Sequence, residues 1–481
     1  IDWLAANQGV GGISLREAII AANNTTNTVI GPDEILFDIS GVGPHTISLT
    51  TALPTITEAV VIDGSSDPDY SNAPLLALNG NGIFANGIHL GAGSDGSTVR
   101  GLIIHSFGDD GIQIDSDENT IVGNYIGTDG TNDLGNTFDG IRILGSNNTI
   151  GGTDPLDRNV ISGNNDDGIQ LQGTATGNII IGNIIGLDAT GTVAVGTTGA
   201  GSGIEASATT SGNFIGGSQP GAGNIISGNR DTGISLFGSS NNTIAGNYIG
   251  TDITGQLDRG NLGGGLLLNG GADGNTIGGT APGARNVISG NNGEGIALFG
   301  TGTNSNTVQG NIIGLDVDGL DAIENSFDGI HIASGAQSNL IGGTIPTERN
   351  IISGNGTKGV QIEGTGTSLN VVEGNYIGTD ITGLVDRGNI QSGVVIGNNA
   401  SSNVIGQAVA GGGNLISGNN QAGILIDNAD GNFVLGNHIG VDVTGAVALG
   451  NGSDGIEIAN GATNTRIGGT SPAARNVISG N

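Results

Sequence analysis

The sequence contains no cysteine and no methionine, and Lys358 is its single lysine. Without cysteine the chain can form neither disulfides nor thiolate metal sites. Without methionine it does not begin at its own start codon, so we expect it to be part of a longer protein whose targeting signal has been removed. No stretch of about 18 consecutive apolar residues occurs, which argues against membrane insertion.

Aromatic residues and positive charge are scarce as well. The chain has one Trp, four Tyr and nine Phe, and its 44 acidic residues against 12 basic ones give a net charge of −32. That charge argues against nucleic acid as a partner. It suits a secreted or cell-surface protein. The 96 glycines follow no three-residue period, which excludes collagen, and the aliphatic content is too high for disorder.

A repeat of about 64 residues dominates the sequence. The string Ile-Ser-Gly-Asn recurs at a nearly constant step along the chain. Its serines are Ser162, Ser227, Ser289, Ser353, Ser417 and Ser479. Half a repeat away the chain reads Gly-Asn-x-Ile-Gly-x-Asp, and a third recurring string is Gly-Ile-x-(Ile/Leu/Ala). Such periodicity is typical of solenoid proteins.

Each recurring string has the form of a short β-strand with Ile or Val at alternate positions, ended by Gly-Asn or Gly-Gly. Strands joined by short corners coil, so that each strand pairs in parallel with its equivalent one coil later. Ile should then stack inside and Asn at the corners. We therefore predict an all-β fold, a single right-handed parallel β-helix (solenoid) with a short N-terminal capping helix. Coils of roughly 21 residues would place three in each repeat.

The first hundred residues differ from the rest. Ser14-Leu15-Arg16-Glu17 is a capping box that opens a helix predicted over residues 14–22. We assign residues 1–100 to an N-terminal cap with irregular first coils. Residues 101–481 form the regular β-helix, which we expect to continue beyond the C-terminus, because the last coil would otherwise leave an open sheet edge.

The segment Gly-Ile-Ser-Leu-Arg-Glu-Ala-Ile at residues 12–19 resembles the CSLREA segment of secreted bacterial β-helix repeat proteins, with Ile13 in place of the cysteine. The repeats are similar to those of large bacterial surface proteins with the pectate-lyase-like fold. This resemblance implies the fold and secretion. It implies little about activity, since that superfamily contains lyases, hydrolases, epimerases and adhesins.

One region has the composition of an active site. Asp109 and Asp110 stand in Gly-Asp-Asp-Gly-Ile, which resembles the paired aspartates of polygalacturonase-type hydrolases. His105 and Arg142 lie near them in the sequence. However, Asp166-Asp167 repeats the pair, and Asp139, Asp328 and Asp454 also precede Gly-Ile. We therefore interpret these aspartates as corner residues, and we keep Asp109, Asp110, His105 and Arg142 as the fallback catalytic candidates.

The Gly-x-Asp-x-(Thr/Asp)-Gly loops offer one carboxylate per repeat. These aspartates are Asp129, Asp188, Asp252, Asp316, Asp380 and Asp442. A turn closed by the side chain explains the string, and calcium binding is the second interpretation. No other cofactor is indicated.

Two functional classes follow from these patterns. The first is a non-enzymatic extracellular structural or adhesive rod, a module of a surface or filament protein. Its partners would be other copies, end to end or laterally, or a polysaccharide or cell-surface ligand. The second is a polysaccharide lyase or glycoside hydrolase. Uniform repeats with short corners favour the first class, because enzymes of this fold carry long loops over one face.

Overall fold

The computed structural model describes residues 13–27, 31–195, 199 and 201–481. These residues divide into an N-terminal unit, which contains the described residues up to Gly216 together with Pro220–Asn224 and Gly228–Arg230, and a C-terminal unit (Gly217–Gln219, Ile225–Ser227 and Asp231–Asn481). In each unit the chain passes through three parallel sheets in turn, which we number 1, 2 and 3. One complete circuit is called a coil. The predicted all-β parallel β-helix with a short helix is confirmed.

The described part of the N-terminal unit contains 18 strands. Sheet 1 consists of Asp33–Leu36, Val60–Asp63, Thr98–Arg100, Thr120–Val122, Thr149–Ile150, Ile179–Ile180 and Phe214–Gly216. Sheet 2 consists of His45–Ser48, Leu76–Asn79, Leu102–His105, Tyr125–Ile126, Val160–Ile161 and Ile184–Ile185. Sheet 3 consists of Ile88–Leu90, Ile112–Ile114, Ile141–Ile143, Ile169–Leu171 and Ile204–Ala206. Two short 3₁₀ helices, Gly64–Ser66 and Pro155–Asp157, lie between strands.

The C-terminal unit contains 25 strands. Sheet 1 consists of Thr243–Ala245, Thr276–Gly278, Thr307–Gln309, Leu340–Gly342, Val371–Glu373, Val404–Ile405, Phe433–Val434 and Arg466–Ile467. Sheet 2 consists of Ile225–Ile226, Tyr248–Ile249, Val287–Ile288, Ile312–Ile313, Ile351–Ile352, Tyr376–Ile377, Leu415–Ile416, His438–Ile439 and Val477–Ile478. Sheet 3 consists of Ile234–Phe237, Leu266–Asn269, Ile296–Phe299, Ile330–Ala333, Val360–Glu363, Val394–Gly397, Ile424–Asp427 and Ile456–Ala459. A 3₁₀ helix spans Pro472–Ala474.

The core of each unit consists of aliphatic side chains stacked in register. In sheet 2 of the C-terminal unit, Ile288 pairs with Ile313, and Ile313 with Ile352. All three are fully buried. The predicted column of repeat isoleucines therefore exists in this sheet, although Ile478 in its last strand is 47% exposed.

The predicted coil length, which placed three coils in each repeat, is wrong. Ile288, Ile313 and Ile352 lie in three successive coils, and Ile288 and Ile352 are one repeat apart, so two coils make one repeat. The strings Ile-Ser-Gly-Asn and Gly-Asn-x-Ile-Gly occupy the same sheet in alternate coils. Coils are longer than expected because their corners are not uniformly short: residues 314–329 form one loop between sheets 2 and 3.

The predicted helix forms over Leu15–Asn24, close to the expected residues 14–22. The Ser14 hydroxyl accepts from the Glu17 amide, and the Ser14 amide donates to the Glu17 carboxylate, as the capping box requires. Leu15, Ala18 and Ile19 are buried. Residues 1–12 and 28–30 of the predicted cap lie outside the described residues. No helix in the described part of the chain has the length and apolar character needed to cross a bilayer.

Asparagine ladders line all three corners of the coils. In each link the side-chain amide of one Asn donates to the Oδ1 of the Asn one coil later, at 2.7–3.3 Å. In the N-terminal unit the ladders are Asn119–Asn148–Asn178–Asn213, Asn124–Asn159–Asn183–Asn224 and Asn136–Asn164. In the C-terminal unit they run onward from Asn242, Asn247 and Asn261.

Asn350 shows how completely one link is bonded. Its Oδ1 accepts both the backbone N–H and the side-chain amide of Asn311, each at 3.0 Å. Its Nδ2 donates to the Val308 carbonyl at 2.8 Å and to the Asn375 Oδ1 at 2.9 Å. The side chain is fully buried. Removing a donor here leaves acceptors that water cannot reach.

We expect Asn350→Asp to lower the free energy of unfolding by about 3 kcal/mol, because a carboxylate oxygen would face two buried acceptors. Chemical denaturation followed by circular dichroism measures the change. Asn292→Asp is the matched control: Asn292 is exposed, so its substitution should change stability by less than about 0.5 kcal/mol. Equal stability of the two variants would show that the ladder does not hold the corner.

Candidate functional site

The outward face of sheet 3 in the N-terminal unit carries a row of polar side chains. The middle residue of each strand points outward while its neighbours are buried, and register places these residues side by side. The row is His89, Gln113, Arg142, Gln170 and Glu205. Such a row can contact a ligand lying along the sheet.

Asp110, Asp139 and Asp167 stack directly beside this row, at the corner that precedes each strand. We call them the acid ladder. The Asp139 amide donates to Asp110 Oδ1 at 3.1 Å, and the Asp167 amide donates to Asp139 Oδ1 at 3.1 Å. Asp167 Oδ1 accepts from the Ser202 amide at 2.7 Å. The three residues are 1–3% exposed, so one oxygen of each carboxyl is used to fix the next coil.

Burial raises the pKa of all three carboxyls. The pKa of Asp110 is raised to about 6 by burial and by the charge of Asp109. The pKa of Asp139 is raised to about 9 by burial together with Asp167 and Asp110. The pKa of Asp167 is raised to about 8 by burial and by Glu205. At neutral pH the ladder therefore holds protons that ordinary aspartates would have lost.

The remaining oxygen of Asp110 does not take part in this backbone bonding. Its Oδ2 is buried without a hydrogen-bond partner, and the Arg142 guanidinium lies 3.8 Å away as an ion-pair contact. Arg142 also donates through Nε to the Gln172 side chain at 3.1 Å. A carboxyl that ionises near pH 6 beside a protonated neighbour has the composition of an acid and base pair.

The structure brings together some of the predicted catalytic residues and separates others. Asp109, Asp110 and Arg142 interact electrostatically at this corner. His105 belongs to sheet 2, where its Nδ1 bonds to the Ser106 hydroxyl at 2.9 Å, and burial lowers its pKa. It is not part of the group.

Each acid of the ladder lies two residues before a strand of sheet 3, which is the position that the corner interpretation gives it. However, the corner does not require an acid. In the C-terminal unit the corresponding residues are Thr232, Gly264, Glu294, Asp328, Lys358, Ser392, Ala422 and Asp454. Three aspartates in consecutive coils are thus a local feature. The sequence does contain a sign of this feature: three Asp-Gly-Ile strings follow one another, each separated from the next by slightly less than half a repeat.

Two groups in the described residues have carboxylate or imidazole ligand atoms within 4.8 Å of one another. They are Asp139, Asp166 and Asp167, and His45, Asp67 and Asp69. The first group contains two members of the acid ladder, so a divalent cation would have to displace the protons held there. None of the six loop aspartates predicted to bind calcium belongs to either group.

The six loop aspartates close their own loops. Asp252 shows the pattern: its Oδ1 accepts from the Thr254 hydroxyl and from the amides of Gln256 and Leu257 at 2.7–3.2 Å. Asp380 bonds equivalently to Thr382, Leu384 and Val385. This is the geometry of the turn interpretation. Calcium at Asp129, Asp188, Asp252, Asp316, Asp380 and Asp442 remains a prediction.

A second ionic cluster lies on sheet 3 of the C-terminal unit. His331 Nε2 lies 3.1 Å from Glu363, and its Nδ1 lies 3.5 Å from Glu294 and 3.9 Å from Asp328. Lys358 pairs with Asp328 at 3.7 Å. Burial opposes the charge of His331, but the three carboxylates outweigh it and raise its pKa. No motif in the sequence marks this cluster, because its members come from three coils and become neighbours only through coiling.

No family model matches the chain, and no curated protein sequence matches it. Several solved structures do. A periplasmic alginate epimerase is 13% identical over 82% of this chain and 77% of that chain, with a TM-score of 0.38. The Dettilon tailspike protein is 17% identical over 82% and 61%, with a TM-score of 0.40. The catalytic domain of a GH87 α-1,3-glucanase in complex with nigerose is 12% identical over 95% and 68%, with a TM-score of 0.38.

The raised pKa of Asp139 predicts a stability that falls with rising pH. The folded state holds a proton that the unfolded chain releases near 3.8, so stability is lost progressively above about pH 4, at about 1.4 kcal/mol per pH unit. Asp139→Asn keeps the Oδ1 acceptor and removes the ionisation. We expect it to be more stable than the wild type by at least about 2 kcal/mol at pH 8 and no different at pH 4.

Denaturation curves from pH 4 to pH 9 test this expectation. Asp273→Asn is the control, because Asp273 is exposed and should show no pH-dependent gain. If Asp139→Asn is no more stable than the wild type at pH 8, Asp139 is ionised in the folded protein.

His331 predicts a pH effect of its own. A raised pKa means that its contribution is fully present below about pH 6.5 and is lost as pH rises through the folded value, since the neutral ring no longer balances Glu294, Asp328 and Glu363. The stability difference between the wild type and His331→Gln should therefore be largest at pH 6 and shrink by pH 9. A ring titration by NMR at or below 6.5 would contradict it. His438→Gln is the control, because no ion pair to His438 occurs in the described residues.

Proposed function

We propose that this chain is a non-enzymatic structural or adhesive module of an extracellular, cell-surface or filament protein. The proposal rests on one observation: the residues that recur from repeat to repeat are the buried ones. The asparagine ladders and the isoleucine columns recur along the C-terminal unit, whereas the outward row of sheet 3 changes from coil to coil. In that unit the row reads Ser235, Leu267, Ala297, His331, Gln361, Val395, Leu425 and Glu457.

The pattern favours a structural role because catalysis needs a fixed set of unlike groups held together in one place. A repeat that keeps only its coil-building residues maintains a shape and leaves its surface free to vary. Homotypic contacts and a polysaccharide or cell-surface ligand are the partners we propose for such a module. Secretion suits its acidic surface, and calcium bound by the loop aspartates would link neighbouring molecules.

One observation favours a second function, that of a polysaccharide lyase or glycoside hydrolase. The acid ladder places a carboxyl with a pKa of about 6 next to one with a pKa of about 9, beside Arg142 and the open face of sheet 3. Asp139 would hold a proton for the leaving group, and ionised Asp110 would accept one.

Incubation with pectate, alginate and polygalacturonate, with and without calcium, distinguishes the two functions. We expect no unsaturated or reducing ends above those of a blank. Product from the wild type that disappears in Asp110→Ala would establish the enzyme. Arg142→Gln is a second variant, because it removes the cation beside Asp110 but leaves the ladder intact. Product that persists in both variants would indicate a contaminant.

A further inference from the structure

A groove opens on the outer side of sheet 2 in the C-terminal unit. It has a volume of about 430 Å³, within the range of small-ligand sites. The residues that form its floor and walls include Tyr248, Thr280, Pro282, Arg285, Val317 and Thr347. Tyr248 is half-buried, whereas Thr280, Pro282 and Arg285 are exposed.

Arg285 is the one charged residue among the described residues that line this groove. Its Nε donates to the carbonyl of Gly310, a residue of the next coil, at 3.1 Å. This bond holds the guanidinium against that coil. Three arginines in the described residues form ion pairs with carboxylates: Arg100 with Asp63, Arg142 with Asp110 and Arg387 with Asp321. No carboxylate pairs with Arg285 in the part of the chain that the structure describes. A cation therefore faces an open groove without a counter-ion, in a chain of net charge −32.

At the equivalent position one repeat later, the arginine guanidinium already has an aromatic partner. Arg349, one repeat later, makes the equivalent bond to the Gly374 carbonyl at 3.1 Å, and its guanidinium lies 3.9 Å over the ring of Tyr376. Tyr376 is 7% exposed, so arginine and ring stack on each other. Arg285 and Tyr248 line one groove together, and Tyr248 remains half-buried.

We propose that this groove binds the carboxylate-bearing ring of a uronate sugar. The Arg285 guanidinium matches a carboxylate in charge and in the geometry of its paired donors. The Tyr248 ring, with Pro282 and Val317, offers an apolar surface to the C–H face of the sugar. The hydroxyls of Thr280 and Thr347 border the groove and match the ring hydroxyls. The inference rests on the adhesive role proposed above and gives that role a ligand class.

Tetragalacturonate is the probe, and neutral maltotetraose and a tetraglutamate peptide are its comparisons. Saturation-transfer NMR and calorimetry on the full chain should show binding of tetragalacturonate alone. Arg285→Gln should weaken it at least tenfold, and Tyr248→Ala should weaken it as well. Arg158→Gln is the matched control: Arg158 makes the same bond to Gly182 at 2.9 Å and pairs with no described acid, but it does not line this groove.

Each outcome separates the possibilities. If maltotetraose bound equally well, the carboxylate would not be needed for recognition. If tetraglutamate bound equally well, the sugar ring would not be needed. Undiminished binding by Arg285→Gln, with an unchanged melting temperature, would place the site elsewhere and overturn the proposal. Products released from tetragalacturonate would contradict the non-enzymatic function instead, whatever the variants show in binding.

Discussion

Every other feature of this protein depends on the satisfaction of buried amides at the corners of the coils. A parallel β-helix must turn its backbone three times per coil, and each turn takes polar groups out of water. The asparagine ladders meet this requirement by bonding each corner to the corner above it and to a carbonyl of an earlier coil, as Asn350 does. The register of all three sheets follows, because a slip of one residue would leave several buried donors and acceptors unpaired at once.

That scaffold explains where chemistry is found. Inward positions are occupied mostly by Ile and corner positions by Asn, so variation is concentrated in the outward residues of the strands, in the residues that precede the strands and in the loops. The acid ladder, the His331 cluster and the Arg285 groove all arise at or beside such positions. Asp139 is an example: the stacking that aligns asparagines elsewhere brings it against Asp110 and Asp167, and burial then raises the pKa of each carboxyl.

The outward tyrosines show how the loops modify this surface. Tyr125, Tyr248 and Tyr376 share one position in sheet 2, where each precedes a fully buried Ile and points away from the core. Tyr376 is nevertheless buried, because Arg349 and the loop containing Gly383 cover it. The loops also bond to one another every second coil, as the Val317 amide does to the Gly255 carbonyl. The aspartates predicted to bind calcium close these loops, which is why one loop per repeat has kept an aspartate.

The sequence by itself determined the fold class, the capping helix at Ser14 and the identity of the stacked residues. These three features depend on the alternation of apolar residues within strands, on the capping box and on the repeat period, all of which are visible in the sequence. Only the tertiary structure decided how many coils make a repeat, because corner length depends on loops whose course is not periodic. It also decided which polar residues meet: Asp110, Asp139 and Asp167 are distant in the chain and become neighbours only through coiling. Their raised pKa values result mainly from burial, and the burial of a residue cannot be read from its identity in the sequence.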